Sequence, residues 1–515
     1  MDEITAPDWL DDDAPKPWEC DPDTPPAAVG KPSASNLLGY RCSDVGNADR
    51  LIALYGENLR HVDALGWLAW NGKYWQRDTI GTVQEAAKAA AARFREAAEQ
   101  FASRANDDDT KAAAKKLLSF SAATENSARL SAMISLAASD PVVSRQLEDL
   151  DAHPYLCNVA NGTVELRTGQ LRAHSRADML TVCAPASLED WTRTAGPSTW
   201  SKFLDRILPD PDTQAFVQRC VGLSLIGEQR DHVVPFLFGG GQNGKGTMLR
   251  AIMAAIGKYG CAVPSDMLME RMSAPHAAQK AMLMGKRFAV ADELPHNRDF
   301  DVAALKSLSG GDDIAAQFMR KDWFTFTPTH TLWLQGNDKP RIPGGDFGTW
   351  RRMRLIPFLV KIPDTEKDPD LDRKLAAERD IILRWAIDGA AEYMREGLGA
   401  CPEVVAATAE YQSDSDVIGQ FISDCCTLAP GAWISRLTLR EAMAVWYADE
   451  GRKGVPGPAL VKADLGKRGI KEHRETKSGP RGWLGIDLTY DRKEYMRRDA
   501  YGAGLPRGDR GPWHD

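Results

Sequence analysis

Val233-Val-Pro-Phe-Leu-Phe238 runs without a break into Gly239-Gly240-Gly241-Gln242-Asn243-Gly244-Lys245-Gly246-Thr247, and then into Leu249, Ile252, Met253 and Ile256. The first stretch is almost wholly apolar, as expected of a parallel strand covered on both faces. The last four residues recur at i, i+3, i+4 and i+7, one face of a helix that Gly257 or Gly260 can end. Strand, glycine-rich loop with a lysine, then helix is the succession of a P-loop. Glycines let backbone N–H groups converge on phosphate oxygens, and the helix N-terminus adds partial positive charge. Gly239 through Thr247 are therefore the expected nucleotide cradle, with Lys245 as a point charge at the β- and γ-phosphates. A Ser or Thr normally follows that lysine and binds Mg²⁺. Gly246 stands there instead, so either Thr247 reaches the metal or water fills in.

Downstream, Arg287-Phe-Ala-Val-Ala-Asp292-Glu293 reads as a buried strand delivering two carboxylates to its C-terminal edge, where parallel sheets bind ligands. Asp292 would complete the Mg²⁺ shell and Glu293 would polarise the attacking water. Thr331-Leu-Trp-Leu-Gln-Gly-Asn337 is a further apolar strand, and its terminal amide can hydrogen-bond the γ-phosphate or the lytic water. Trp350-Arg351-Arg352-Met-Arg354 sets three arginines within four residues, and a planar guanidinium suits a phosphoryl transition state. A solvated basic loop would look the same.

Around this segment the chain of 515 residues has ordinary globular composition, 43 % hydrophobic and 26 % charged, with a net charge of −8. No apolar run reaches the ~18–20 residues of a transmembrane helix, and the acidic Met1-Asp2-Glu3 start is unlike a secretion signal. The nine cysteines are scattered and form no CxxC or Cys/His cluster, which points to reduced thiols in a cytoplasm. Residues 1–35 hold nine acids, two bases and seven prolines and read as a disordered acidic arm. Residues 452–498 hold thirteen bases and six acids, so basic charge is concentrated where a nucleic acid could bind.

Trp67-Leu-Ala-Trp70-Asn-Gly-Lys-Tyr74-Trp75 reads as two strands around an Asn-Gly turn. Its aromatics either stack on bases or simply pack a small hairpin. From Val83 to about Ala138 the chain is Ala-rich and helical, interrupted near Asn106-Asp-Asp-Asp109, and 199–229 also reads as helices. The expected units are 36–150, mostly helical; 151–230, a collar; 231–365, the ATPase core; 366–424, a helical lid; 425–490; and a tail, 491–515.

P-loop, acidic strand, Lys306 before Gly310-Gly311-Asp312, strand ending in Asn337, then Trp350-Arg351-Arg352 resembles superfamily 3 helicases, closest to the helicase part of phage and plasmid primase–helicases. The stretch from Asn158 to Leu171 is similar to the domain that precedes the ATPase in those proteins. The resemblance implies an α/β fold: a P-loop AAA+-like ATPase core with a parallel sheet, a helical N-terminal and collar region, and a C-terminal winged-helix-like domain. It implies ATP and Mg²⁺ as cofactors, a homo-oligomeric ring, usually a hexamer, and translocation on single-stranded DNA in the ring pore. Lys245, Asp292, Glu293 and Asn337 take the nucleotide roles, with Arg351, or second Arg352, acting on a neighbouring subunit's ATP. A pore hairpin is expected between Asp312 and Pro328. Gln317 stands where relatives often have Arg, and Arg320 and Lys321, with Lys306, are its candidate DNA contacts.

At the C-terminal end, helix, helix and basic hairpin resemble a winged helix that would set Lys462, Lys467, Arg468 and Lys471 on duplex phosphates. A plain packing domain with a solvated basic face is the alternative. The Asp clusters 11–13 and 107–109 lie in loop-like sequence, so primer synthesis is expected to be absent. The expectation is a replicative helicase of a phage or mobile element in the bacterial host cytoplasm. The competing readings are a DNA-stimulated ATPase that assembles at an origin without processive unwinding, and a nucleotide-gated DNA-binding protein. Glu293 argues against the last, since binding alone needs no water-activating acid.

Overall fold

The computed structural model describes residues 34–189, 197–270, 277–291, 293–294, 298–317, 322–342, 347–452, 454–474, 479–494 and 496. Asp292, Arg320 and Lys321, as well as the acidic arm to residue 33, lie outside the described residues.

The N-terminal part opens with helices α1 (Ala34–Gly39) and α2 (Asp44–Tyr55), the latter capped by Ser43, whose hydroxyl accepts from Gly46 N–H. An antiparallel sheet of β1 (Leu59–Val62), β2 (Gly66–Trp70) and β3 (Trp75–Arg77) follows. Helices α3 (Thr82–Ser103) and α5 (Ser127–Ala137) share its core, and α4 (Asp108–Thr124) packs on α3. Trp70 and Trp75 are 2 % and 0 % exposed, packed with the alanines of α3. These two indoles are core, so stacking on bases is closed to them. Asp107 is the N-cap of α4, accepting from Thr110 N–H, which explains the second acidic cluster as a helix start.

A second small antiparallel sheet, β4 (Leu156–Val159), β5 (Gly162–Glu165) and β6 (Gln170–Arg172), leads to α6 (Thr199–Ile207) and α7 (Pro211–Leu225). Trp200, Phe203, Leu204 and Ile207 form the buried face of α6.

The central layer then follows as β7 (Val234–Phe238), α8 (Lys245–Ile256), β8 (Gly260–Val263), α9 (Ala277–Ala281), β9 (Phe288–Ala291) and α10 (Val302–Ser309). It continues with the hairpin β10 (Ile314–Gln317) and β11 (Trp323–Phe326), then β12 (Thr331–Gly336), α11 (Phe347–Trp350) and β13 (Met353–Pro357). Five of these strands make one sheet in the order β13-β7-β12-β9-β8, with every pairing parallel. Alternate residues of β7 serve opposite sides: Leu237 packs with α7 and α8, while Val234 and Phe236 pack with the layer that holds α10.

Helices α12 (Leu371–Ala377), α13 (Arg379–Glu396) and α14 (Pro402–Ser415) return across the sheet. Helix α13 lies against α7 where Gly222 faces Gly389. A Cβ on Gly222 would sit 2.1 Å from Ala390 N, so only glycine permits this approach.

The chain closes with α15 (Val417–Cys425), β14 (Cys426–Ser435), α16 (Arg436–Asp449), α17 (Pro458–Lys467), β15 (Lys471–Arg474) and β16 (Arg481–Leu488). Its sheet is antiparallel, ordered β14-β16-β15, around a separate core of Phe421, Trp446 and Ile486. Helix α15 contributes Ile418, Phe421, Ile422 and Cys425 to that core, so the unit begins before residue 425. No helix among the described residues is long and apolar enough to cross a membrane.

Candidate nucleotide site

Because all five strands run the same way, their C-terminal ends share one edge of the sheet. The Gly239–Gly244 loop leaves β7 at that edge, with β12 and β13 on either side. The loop is pinned from both. Gly239 N–H donates to Gly336 O at 3.3 Å, Ile362 N–H donates to Gln242 O at 2.8 Å, and Asn243 Nδ2 donates to Phe358 O at 3.3 Å. Gly244 precedes α8 at φ +84°, a left-handed conformation natural to glycine. Its Cα faces α6, where a Cβ would meet Ile207 Cγ2 at 2.5 Å.

Lys245 is the first residue of α8 and is 6 % exposed. Its ammonium donates to Gly239 O at 2.6 Å, Asn243 Oδ1 at 3.2 Å and Asn337 Oδ1 at 3.2 Å. All three acceptors are neutral. Burial lowers the lysine's pKa, and the nearby Glu293 charge works in the opposite direction. A desolvated cation among neutral oxygens at a helix N-terminus is electrostatically unbalanced and fits an anionic, phosphate-like group. The structure thus brings together the loop, Lys245, Asn337 and Glu293, which the sequence separates by up to 92 positions between Lys245 and Asn337.

Thr247 lies in the first turn of α8, and its hydroxyl accepts from Arg250 Nη2 at 3.1 Å. Arg250 also pairs with Asp372 at 3.2 Å. A metal role for Thr247 would require it to turn from Arg250. Arg250 escaped the sequence reading, although its position three residues after Thr247 places it on the same helix face. Beside the loop a cavity of about 620 Å³ opens between α6, the loop and the segment before α12, lined by Phe203, Arg206, Gln242, Thr247, Ile362 and Asp372 among others.

The arginines sit elsewhere. Val234 N–H, at the start of β7, donates to Arg352 O at 2.8 Å, so Arg351 and Arg352 lie at the N-terminal edge of the sheet. The glycine-rich loop is a strand length away, about 16 Å for five residues. Arg352 is 9 % exposed and donates to Gly348 O at 2.6 Å, whereas Arg351 is exposed.

Among the expected DNA contacts, Lys306 is half-buried on α10. The hairpin is present, with Gln317 opposite Trp323 and the Trp323 side of the pair 65 % exposed. Lys471 is exposed on β15; Lys462 pairs with Glu472 at 2.7 Å. Arg468 is bound at 2.6 Å to both Asp416 and the buried Asp464, and with Lys467 it lines the crevice facing α14.

Fold and site together define an α/β protein built on a parallel sheet, with a glycine-rich loop and a buried lysine at the C-terminal edge. Two family models match the chain, one described as D5 N terminal like over residues 48–209, the other as a Family of unknown function (DUF5906) over residues 237–352. A protein of Acanthamoeba polyphaga mimivirus named as a helicase is 26 % identical over 325 residues, 58 % of this chain and 34 % of the relative. A helicase-named protein of Frog virus 3 is 25 % identical over 318 residues (57 % and 32 %), and a primase-named protein of African swine fever virus is 22 % identical over 337 residues (58 % and 34 %). The chain is similar in these parts to helicase- and primase-named viral proteins, a likeness that supports a kinship with phage-type primase–helicases. It spans about a third of the length of these curated relatives. The solved NrS-1 C terminal region aligns with a TM-score of only 0.36 at 9 % identity, covering 69 % of this chain and 89 % of that one, too slight a likeness to bear on the fold.

Proposed function

We propose that the chain is an ATP-dependent DNA helicase that moves along single-stranded DNA as a homo-oligomeric ring, a hexamer, in the replication of a phage or mobile element, acting in the bacterial host cytoplasm. The observation that carries this reading is Lys245 buried at the sheet edge with Asn337 on its ammonium. Loop N–H groups and the α8 N-terminus would bind the polyphosphate, and Lys245 would neutralise the β- and γ-phosphates. The cavity beside Gln242 and Phe203 has room for the nucleoside. Mg²⁺ would neutralise charge between the phosphates, held by Asp292 and by Thr247 or water. Glu293 would accept a proton from the attacking water, and Asn337 would orient the γ-phosphate against Lys245.

Arg351 fits a role toward a neighbouring subunit, because its own P-loop is at the opposite edge and out of reach. That placement is what favours a ring over a monomer. The hairpin of β10 and β11 would carry Arg320, Lys321 and Trp323 toward the single strand. The C-terminal unit, read as a winged helix, would hold duplex through Lys471 with Lys462 and Lys467 beside it. A second reading, an origin-binding ATPase without processive unwinding, is favoured by one feature: a basic C-terminal unit with its own core. ATP turnover with and without single-stranded DNA tests the proposal. Wild type should be stimulated and Lys245→Ala inactive; equal turnover in the two proteins would refute the ATPase assignment.

A further inference from the structure

Gly246 stands where a hydroxyl residue ordinarily follows the lysine of a phosphate-binding loop, and the structure shows what lies over it. It is the second residue of α8. A Cβ on Gly246 would lie 3.2 Å from Arg250 Nη1 and 3.8 Å from Gln335 Oε1. The Arg250 guanidinium therefore covers the glycine and takes the space that a serine or threonine side chain would need. Helix geometry puts it there: residues 246 and 250 are one turn apart on one face, and long helical side chains lean toward the N-terminus. Gln335 is near the C-terminal end of β12, two residues before Asn337, whose Oδ1 takes the Lys245 ammonium. Arg250 thus sets a second cation beside the residue that follows Lys245.

The bonding of the guanidinium is lopsided. Nη2 donates to Thr247 Oγ1 at 3.1 Å and to both carboxylate oxygens of Asp372 at 3.2 Å. Nη1, the nitrogen over Gly246, has no partner among the described residues. Asp372 comes from α12, and with Thr247 it lines the cavity beside the loop. The side chains of Arg250 and Asp372 are 62 % and 63 % exposed, and an ion pair so open to solvent adds little to stability. Its geometric effect is larger, because two acceptors on Nη2 fix where Nη1 stands. The backbone N–H groups of Lys245, Gly246 and Thr247 precede the first hydrogen bond of α8, from Met248 N–H to Gly244 O at 2.9 Å. A guanidinium nitrogen set among such helix-start donors fits an anion.

We propose that Arg250 is a phosphate-binding residue of the nucleotide site, donating through Nη1 to the triphosphate from the place of the usual hydroxyl. The proposal rests on the reading of the loop as a nucleotide site and adds a second cation from the same helix. A guanidinium meets a phosphate oxygen directly, in a charge-assisted hydrogen bond. A hydroxyl at position 246 would instead act through Mg²⁺. Triphosphate binding by this chain should consequently persist when Mg²⁺ is withheld.

The test is equilibrium binding of a fluorescent ATP analogue to full-length protein, with excess Mg²⁺ and with EDTA. Wild type should bind in both. Arg250→Ala should lose about 10-fold or more in affinity in EDTA, the worth of one hydrogen bond to a charged group, and should melt like wild type without nucleotide. Should Arg250→Ala fail to fold, Arg250→Gln, which keeps an amide toward Asp372, carries the same expectation. Gly246→Ser in the Arg250→Ala background should regain affinity with Mg²⁺ but not in EDTA. A brace between α8 and α12 behaves otherwise: its loss would come with a lowered melting midpoint and would not be repaired by a serine at 246. That result overturns the proposal, as does equal affinity of wild type and Arg250→Ala in EDTA. Wild type that binds only with Mg²⁺ also overturns it, while leaving the nucleotide site in place. Wild type that binds the analogue under neither condition overturns the nucleotide reading itself.

Discussion

Gly240 and Gly244 occupy the same glycine-rich motif, yet the structure assigns them opposite tolerance to a methyl group. At Gly244 a side chain must adopt φ +84°, which costs about 1–2 kcal/mol for an L-residue. Its Cβ would also lie 2.5 Å from Ile207 Cγ2, and overpacking of that kind costs about 1–3 kcal/mol. Gly244→Ala should therefore destabilise the parallel-sheet core by about 2–5 kcal/mol, a drop in its melting midpoint on the order of 10 °C. A Cβ on Gly240 meets nothing within 4 Å, so Gly240→Ala should stay within about 0.5 kcal/mol of wild type. Ile207→Ala, alone and in the Gly244→Ala background, completes a cycle in which the overpacking part appears as a coupling energy and the backbone part does not. Scanning calorimetry, with binding of a fluorescent ATP analogue measured in parallel, reads all of these proteins. If Gly244→Ala melts with wild type and binds the analogue fully, the seating of the loop on α6 is wrong.

The two neighbouring arginines should separate in the same way: Arg352→Ala, which removes a buried donor to Gly348 O, should cost about 1.5–3 kcal/mol of stability, while exposed Arg351→Ala should melt like wild type. Arg351→Ala should nevertheless lose about 10³-fold or more in ATP turnover, and mixing it with Lys245→Ala subunits should restore some activity; no recovery in verified mixed rings would refute a role across subunits. His330 is 1 % exposed and its pKa is pushed down to about 4 by burial, so the unfolded chain takes up the proton first as pH falls below about 6.5. Stability should consequently fall by about 2 kcal/mol between pH 7 and pH 5 through this residue, a loss that urea titration should find absent in His330→Leu. Removing residues 416–515, which takes α15 along with the unit it packs into, should weaken duplex binding and lower its salt slope; unchanged duplex affinity would mark the basic wing as a solvated face.

The strand, glycine-rich loop and helix of residues 233–256 were legible because their signals are local: an apolar run, glycines and a 3.6 period within 24 residues. The helical stretch after Thr82, with its break before Asp108, and the pairing of β2 with β3 were legible for the same reason, whereas the second break, between Thr124 and Ser127, was not. Strand β14 was not, because Pro430-Gly431 in its middle reads as a turn. In the structure those residues sit where the register with β16 shifts between Leu428 and Trp433, so the strand continues past them. Strand order was equally hidden, since β7 lies between two strands that come about 100 residues later. The place of Arg351 and Arg352 at the N-terminal edge of the sheet depended on that order, since β13 pairs in parallel with β7. The fate of Trp70 and Trp75 turned on α3 packing over them, which no aromatic count reveals. Arg468, read as a phosphate contact, meets Asp416 from a helix start 52 residues earlier.

Strand displacement from a forked duplex, with ATP, Mg²⁺ and full-length protein, tests the central claim most directly. Wild type should release the displaced strand, while Lys245→Ala should not, nor should wild type with a non-hydrolysable ATP analogue. Wild type that hydrolyses ATP on DNA but leaves the fork intact would contradict the helicase reading and put an origin-binding ATPase in its place.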